Sequence, residues 1–253
     1  MKALPRHGMV RAMNILILGG TAEARALANR LVALGHAVTS SLAGRTQSPL
    51  LPAGQVRIGG FGGIDGLSTY LRHEGIDRLV DATHPYAATI SRNAVAAARQ
   101  AGVPLLRVLR PAWEPQSGTE WICAGSAEEA AATLPRGATV LLTTGHTGLE
   151  HFTARTDCRF LVRLIVPAAV PLPLHMEPLL DRPPYTLSSE MALLEGHSIT
   201  HLVSKNSGGG QTAAKLEAAA KLGVPVIMIA RPIYDPAPEV ASVEEALSVL
   251  LAG

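Results

Sequence analysis

The sequence predicts an α/β fold: two Rossmann-like lobes with mostly parallel sheets and a ligand cleft between them. Three observations carry that expectation. From Asn14 onward, short β-branched or Leu-rich runs alternate with Ala-rich segments of helical periodicity. Several runs end in turns rich in glycine and hydroxyl residues, at the carboxyl ends of strands where open parallel sheets hold ligands. Around Arg110–Gly118 the composition shifts, with Pro111, Pro115 and Gly118 close together, and the alternation then restarts. The boundary expected from these signs gives domains 14–115 and 116–253, with residues 1–13 as an N-terminal extension.

The run Ile15–Leu18 stops at Gly19-Gly20 and reads as a buried strand. The helix after it carries Ala24, Leu27, Ala28 and Leu31 at i, i+3, i+4, i+7 spacing, and Gly35 suits its C-terminal cap. Strands are expected over 37–41 and 56–58, a helix over 67–73, a strand over 78–81 and a long helix over 87–100. Residues 103–108 form a further strand, with Pro104 near its start where a sheet tolerates it. In the second lobe, helices are expected over 127–134, 149–154, 189–195, 212–222 and 243–251. The intervening strands are 139–143, 160–165, 200–204 and 226–229. The Pro-rich stretch 167–184 lacks periodicity and is expected to be a long loop near the active site or a lid.

Composition narrows the function. Hydrophobic residues make up 47% of the 253 and charged residues 17%, which fits a compact α/β protein rather than a disordered chain. A formal charge of +2 gives no argument for a nucleic-acid partner, but it allows a local basic pocket for an anionic small molecule. The two cysteines, Cys123 and Cys158, are too few for a disulfide framework and read as small apolar residues of a reducing compartment. Residues 1–13 hold Lys2, Arg6 and Arg11 but no signal-peptide apolar run, and no stretch approaches the ~20 apolar residues of a membrane span. A cytoplasmic location is therefore expected, with no membrane partner.

The turns after the strands hold the candidate chemistry. Gly19 and Gly20 let the backbone approach a pyrophosphate, and the next helix offers free N–H groups and the positive end of its dipole. Thr21 serves there as N-cap or phosphate ligand; a plain capped turn has the same appearance. The second strand ends in Ser40, Ser41, Arg45 and Thr46 without an acidic residue, which favours NADP over NAD. Gly59-Gly60-Phe61-Gly62-Gly63 makes sense where backbone lies against a flat ligand, since each glycine costs conformational entropy to order. Asp81-Ala82-Thr83-His84-Pro85-Tyr86 gathers an acid, a hydroxyl, an imidazole and a phenol at a helix start, suited to proton transfer or ligand positioning. Asp81 also suits simple capping of backbone donors.

In the second lobe, Thr143-Thr144-Gly145-His146 follows one strand. Lys205-Asn206-Ser207-Gly208-Gly209 follows another, a donor-rich loop suited to a carboxylate or phosphate. It lacks the Walker A pattern, which argues against a P-loop ATPase. No H-E-x-x-H occurs and His146 and His151 have the wrong spacing, so no metal is expected; G-x-S-x-G is also absent.

Five of these segments resemble the precorrin-6A reductase family (precorrin-6A and cobalt-precorrin-6A reductases). They are Ile-Leu-Gly-Gly-Thr-Ala-Glu at 17–23, Ser-Leu-Ala-Gly-Arg-Thr at 41–46, Gly-Gly-Phe-Gly-Gly at 59–63, Asp-Ala-Thr-His-Pro-Tyr-Ala at 81–87 and Ser-Lys-Asn-Ser-Gly-Gly at 204–209. The Thr-His-Pro-Tyr and Lys-Asn-Ser-Gly segments are the specific ones, and the order matches from Asn14 over nearly the whole chain. The resemblance implies a hydride transfer from NADPH to one double bond of precorrin-6A, giving dihydroprecorrin-6A on the route to cobalamin, without flavin or enzyme-bound metal.

The resemblance also implies roles. Cofactor binding falls to Gly19, Gly20, Thr21, Glu23, Ser40, Ser41, Arg45, Gly60 and Thr83, in an NADP-binding domain 14–115. His84 and Tyr86 are the candidate catalytic residues, with solvent or the substrate itself as other proton sources. Lys205, Asn206, Ser207, Gly208, Gly209 and Thr144 are expected to bind the tetrapyrrole-derived substrate. Arg92, Arg107, Arg163, Lys215 and Arg231 are further cations for its acetate and propionate groups, outside the matched motifs. A monomer or small homo-oligomer is expected. Two other readings stay open at this point: an NADP-binding sugar-nucleotide epimerase or dehydratase, and a non-catalytic NADPH sensor. Against the first, no tyrosine is followed four residues later by lysine.

Overall fold

A computed structural model describes residues 11–44, 50–116 and 119–252. In chain order the first elements are β1 (Asn14–Leu18), α1 (Ala22–Ala33), β2 (Ala37–Leu42), β3 (Gln55–Ile58), α2 (Gly63–His73), β4 (Arg78–Asp81), α3 (Ala88–Ala101) and β5 (Leu105–Val108). Next come β6 (Trp121–Ala124), α4 (Ala127–Thr133), β7 (Thr139–Leu142), α5 (Glu150–Thr153), β8 (Arg159–Leu164) and β9 (Met176–Leu180). The chain ends with α6 (Leu187–Gly196), β10 (His201–Lys205), α7 (Ala214–Leu222), β11 (Val226–Ile229), β12 (Glu239–Val240) and α8 (Val243–Leu251).

The strands form two six-stranded sheets, β12-β5-β4-β1-β2-β3 and β6-β11-β10-β7-β8-β9. Among the described residues every pairing is parallel. The first unit comprises the chain up to Arg110 together with the segment from Pro232 onward; the second is Pro111–Arg231.

In the first unit β1 shows why a parallel strand reads as an unbroken apolar run. Ile15 and Ile17 point into one core with Leu27, Leu31, Leu247 and Leu250, while Leu16 and Leu18 point into another with Leu67, Leu71, Leu79 and Ala97. Both faces are covered by helices, so both sets must be apolar. Thr21 starts α1 by accepting the Ala24 N–H, and Gly102 ends α3 in the left-handed region. The second unit builds one of its cores from Leu141, Leu161, Leu194, Leu202, Leu216 and Val226.

Three strands depart from expectation, and all are short edge strands. The Pro-rich stretch 167–184 contains β9, paired outside β8, where Pro178 sits on a sheet edge that does not need its N–H from both sides. β6 follows the linker and pairs with β11. β12 pairs with β5, and its flanks bond to it: the Arg107 N–H donates to Pro238 O at 2.8 Å and the Leu109 N–H to Val240 O at 2.9 Å. The domain division 14–115 and 116–253 is corrected accordingly. The crossing occurs at Arg110–Pro111, and the chain returns at Pro232 to give β12 and α8 to the first unit. Ala246, Leu247 and Leu250 of α8 pack on α1, and that buried apolar face is the physical reason for the return.

Candidate functional site

In the first unit the turn after β1 is fixed by its neighbours. The Gly19 N–H donates to Ser41 O at 2.9 Å, carrying the sheet's hydrogen bonding one residue past the strands. Gly20 has φ +107°, which a side chain would strain, and a Cβ there would meet nothing within 4 Å. Thr21 is the N-cap: its hydroxyl accepts from Ala24 N at 3.1 Å and donates to Ala82 O at 2.8 Å, so it ties α1 to the end of β4. Glu23, in the first turn of α1, pairs with Arg110 at 2.8 Å. Thr21, Glu23, Thr83, Pro85, Val108 and Arg110 together line a small hollow at the carboxyl ends of β1, β4 and β5.

Ser40 and Ser41 are both buried on β2, and the Ser40 hydroxyl has no hydrogen-bond partner among the described residues. Arg45 lies outside the described residues. The glycine run after β3 is braced by Arg57, whose guanidinium donates to Gly59 O at 2.6 Å and Gly60 O at 2.7 Å and lies 3.9 Å from the Phe61 ring centroid. Gly60 has no positive φ, and a Cβ there would meet nothing among the described residues. Its packing places no demand on the absence of a side chain, and an approaching ligand would.

The segment after β4 is held from below. Asp81, 1% exposed, accepts from Thr83 N at 3.3 Å and from Thr83 Oγ1 at 2.7 Å. The Ser91 hydroxyl lies 3.3 Å from that of Thr83. The other Asp81 oxygen faces Arg107 Nε at 3.6 Å, and Arg107 reaches Glu239 at 3.5 Å and Asp235 O at 3.2 Å. Arg107 is therefore an internal counter-charge, 4% exposed. Its guanidinium lies 4.8 Å from the Tyr234 ring centroid, and the Tyr234 hydroxyl donates to Pro85 O. Pro85 is buried and His84 exposed. His84 Nδ1 accepts the Tyr86 N–H at 3.2 Å, which puts the neutral ring's proton on Nε2, and the two rings are 5.9 Å apart.

In the second unit the Lys205–Gly209 loop is knit to its own surroundings. Lys205 donates to Thr144 O at 2.7 Å and Thr147 O at 3.4 Å, joining the turns after β10 and β7. Asn206 grips the Trp113 backbone with both side-chain atoms, accepting from its N–H at 2.7 Å and donating to its carbonyl at 3.0 Å. The Trp113 indole N–H donates to Gly209 O at 3.0 Å. Arg231 donates to Asn206 O at 2.8 Å and Ser207 O at 3.1 Å. Gly208 has φ +69°, and a Cβ there would run into the Pro111 carbonyl. Arg163 is paired bidentately with buried Glu190, at 2.9 and 3.1 Å, and lies 4.2 Å from the Tyr185 ring centroid. Lys215, 5% exposed, has its ammonium 4.9 Å from the Trp113 ring centroid. Burial holds the Lys215 ammonium down to a pKa of about 7 and raises the Tyr185 phenol to about 12.

Thus the first unit brings Thr21, Glu23 and Thr83 to one hollow, while His84, bonded to Tyr86 N, lines a second hollow that shares Thr83 and Pro85 with the first. Within the second unit, Thr144 meets Lys205 directly. Arg107, Arg163 and Arg231, expected among the substrate-binding cations, are engaged by internal partners. Sequence reading missed Arg57, Arg110 and Tyr234. Arg57 carried a signal in its position just before the glycine run; Tyr234 had none, because only the return of the chain brings it to Pro85.

A sequence profile of the family described as precorrin-6x reductase CbiJ/CobK matches residues 14–251. The precorrin-6A reductase of Rhodococcus erythropolis is 51% identical over 227 residues, covering 89% of this chain and 92% of its own. That of Mycobacterium tuberculosis (strain ATCC 25618 / H37Rv) is 48% identical over 221 residues, covering 87% and 89%. The solved structure of CobK precorrin-6A reductase superposes with a TM-score of 0.91 at 41% identity, covering 95% of this chain and 96% of that one.

Proposed function

The chain belongs to the precorrin-6x reductase family and acts as a precorrin-6A reductase in cobalamin biosynthesis, and we propose that NADPH, bound by the first unit, is its reductant. The epimerase and sensor readings of the sequence are set aside by that membership. The observation that carries the cofactor proposal is the turn after β1. An uncovered Gly20 backbone, the free N–H groups of α1 and the absence of an acid at the end of β2 converge at the carboxyl end of one sheet.

In this reading Gly19, Gly20 and Thr21 shape the phosphate cradle, with Thr21 acting by capping rather than by touching phosphate. Glu23 alone would repel an anion there; Arg110 compensates it. Ser40, Ser41 and Arg45 are assigned to the adenosine 2′-phosphate side, Gly60 to a close backbone approach and Thr83 to the wall of the hollow. Bound NADPH supplies a hydride, which is two electrons and one hydrogen nucleus. A proton must join the neighbouring position of the reduced double bond. His84 is assigned that proton in its imidazolium form: a solvent proton taken up at Nδ1 releases the Tyr86 N–H, Nε2–H then passes to the substrate and a neutral ring is left, while Tyr86 is assigned to keep the ring oriented. Lys205, Thr144 and the Asn206–Gly209 loop are assigned to the substrate's carboxylates, with Lys205 also bracing the turn after β7.

The test is an anaerobic assay that follows NADPH absorbance and the pigment spectrum with precorrin-6A, beside the same assay with NADH. Oxidation of NADPH with a pigment shift, and at least about tenfold lower kcat/KM with NADH, is the expected result. Equal use of NADH would refute the cofactor assignment; no pigment shift with either would refute the reductase reading.

A further inference from the structure

Residues on either side of His84 are anchored to one buried ion pair by different routes. On one side Thr83 bonds Asp81 through both its N–H and its hydroxyl. On the other, Pro85 receives the Tyr234 hydroxyl on its carbonyl, and the Tyr234 ring lies over Arg107, the partner of Asp81. His84 is the exposed residue between two fixed neighbours. Asp81 and Arg107 are 1% and 4% exposed, and their charges brace the segment above them. Tyr234 is 149 residues from Pro85 in sequence and belongs to a stretch, 232–238, without helix or strand.

We infer that Tyr234 is a positioning residue for the reduction, its hydroxyl setting the placement of the His84–Tyr86 segment. This rests on the role assigned to His84 above. The Tyr234 hydroxyl bond and the ring's stacking on Arg107 fix the loop from the side that Asp81 does not reach. A small displacement of a proton donor is enough to cost a large factor in rate.

The experiment is Tyr234→Phe, which removes the hydroxyl and keeps the ring over Arg107. Two readouts are taken on the full-length enzyme. Amide exchange at Ala87, whose N–H donates to His84 O at 2.7 Å, should accelerate about tenfold as the segment loosens. With precorrin-6A and NADPH, kcat should fall about tenfold while KM for NADPH stays within about twofold. Placed in a His84→Ala background, the same substitution should cause no further loss, because residues acting through one another are not additive. An equal loss in both backgrounds, an unchanged kcat, or unchanged exchange at Ala87 overturns the inference. If His84→Ala alone leaves turnover intact while Tyr234→Phe still accelerates exchange, the failure lies in the role assigned to His84, not in the anchoring by Tyr234.

Discussion

The ammonium of Lys215 is buried in the second unit. Burial pushes its pKa down to about 7 from an ordinary value of 10.5; Arg163 adds to the shift and Glu190 opposes it. The folded state therefore binds its proton less tightly than the unfolded state does. Below pH 7 both states are protonated and the full penalty is present. Between about 7 and 10.5 the unfolded state alone keeps the proton, so stability from this group rises with pH, by at most about 1.4 kcal/mol per pH unit. Lys215→Met should accordingly be more stable than the parent at pH 6, with a margin that shrinks by pH 9. Urea unfolding at the two pH values measures this, and a margin independent of pH would refute it. His84→Ala acts on chemistry instead: NADPH affinity should stay within about twofold while kcat falls at least about tenfold, as steady-state kinetics would show. Gly208→Ala forces a Cβ toward the Pro111 carbonyl at a positive φ and should cost about 2 kcal/mol or more by urea unfolding.

Among the elements, the buried pair between β8 and α6 makes a separable claim. Arg163 and Glu190 are 7% and 1% exposed and bond at 2.9 Å. Glu190→Leu strands an unneutralised guanidinium beside Lys215 and should cost about 3–5 kcal/mol in chemical denaturation; adding Arg163→Met should recover much of that loss. Failure of the second change to recover stability would show that the pair holds more than its own charges. The central strands were legible in the sequence because parallel strands covered on both faces must be apolar throughout, as Ile15–Leu18 is. The edge strands β6, β9 and β12 carry no such run: Met176–Leu180 holds Glu177 and Pro178, and Glu239–Val240 is too short for periodicity. The site divides in the same way. Motif residues such as Gly20, Thr21 and His84 are visible as local patterns at strand ends, whereas Arg110 and Tyr234 join Glu23 and Pro85 through tertiary approach alone.

For the whole molecule, the sequence put its expected boundary at 115/116, on the strength of prolines and a composition change, and the compact units part at Arg110–Pro111. It missed the return at Pro232, because β11 is followed by one more strand and helix that look like a further turn of the same alternation. Only the destination of the buried face distinguishes the two outcomes: α8 places Ala246, Leu247 and Leu250 against Leu27 and Leu31, and β12 extends the sheet beyond β5. The two units thus differ in how their chains are assembled. The second is one continuous segment that closes its own sheet, from β6 through β11. The first needs two segments, and without the later one it exposes the apolar face of α1 and the open edge of β5. A fragment of residues 111–231 should therefore unfold in a single cooperative thermal transition by circular dichroism, whereas residues 14–110 should not. Supplying residues 232–252 as a separate peptide should restore a transition to the latter, by burying the α8 face. A cooperative transition in 14–110 alone would mean that β12 and α8 decorate a finished domain rather than complete it.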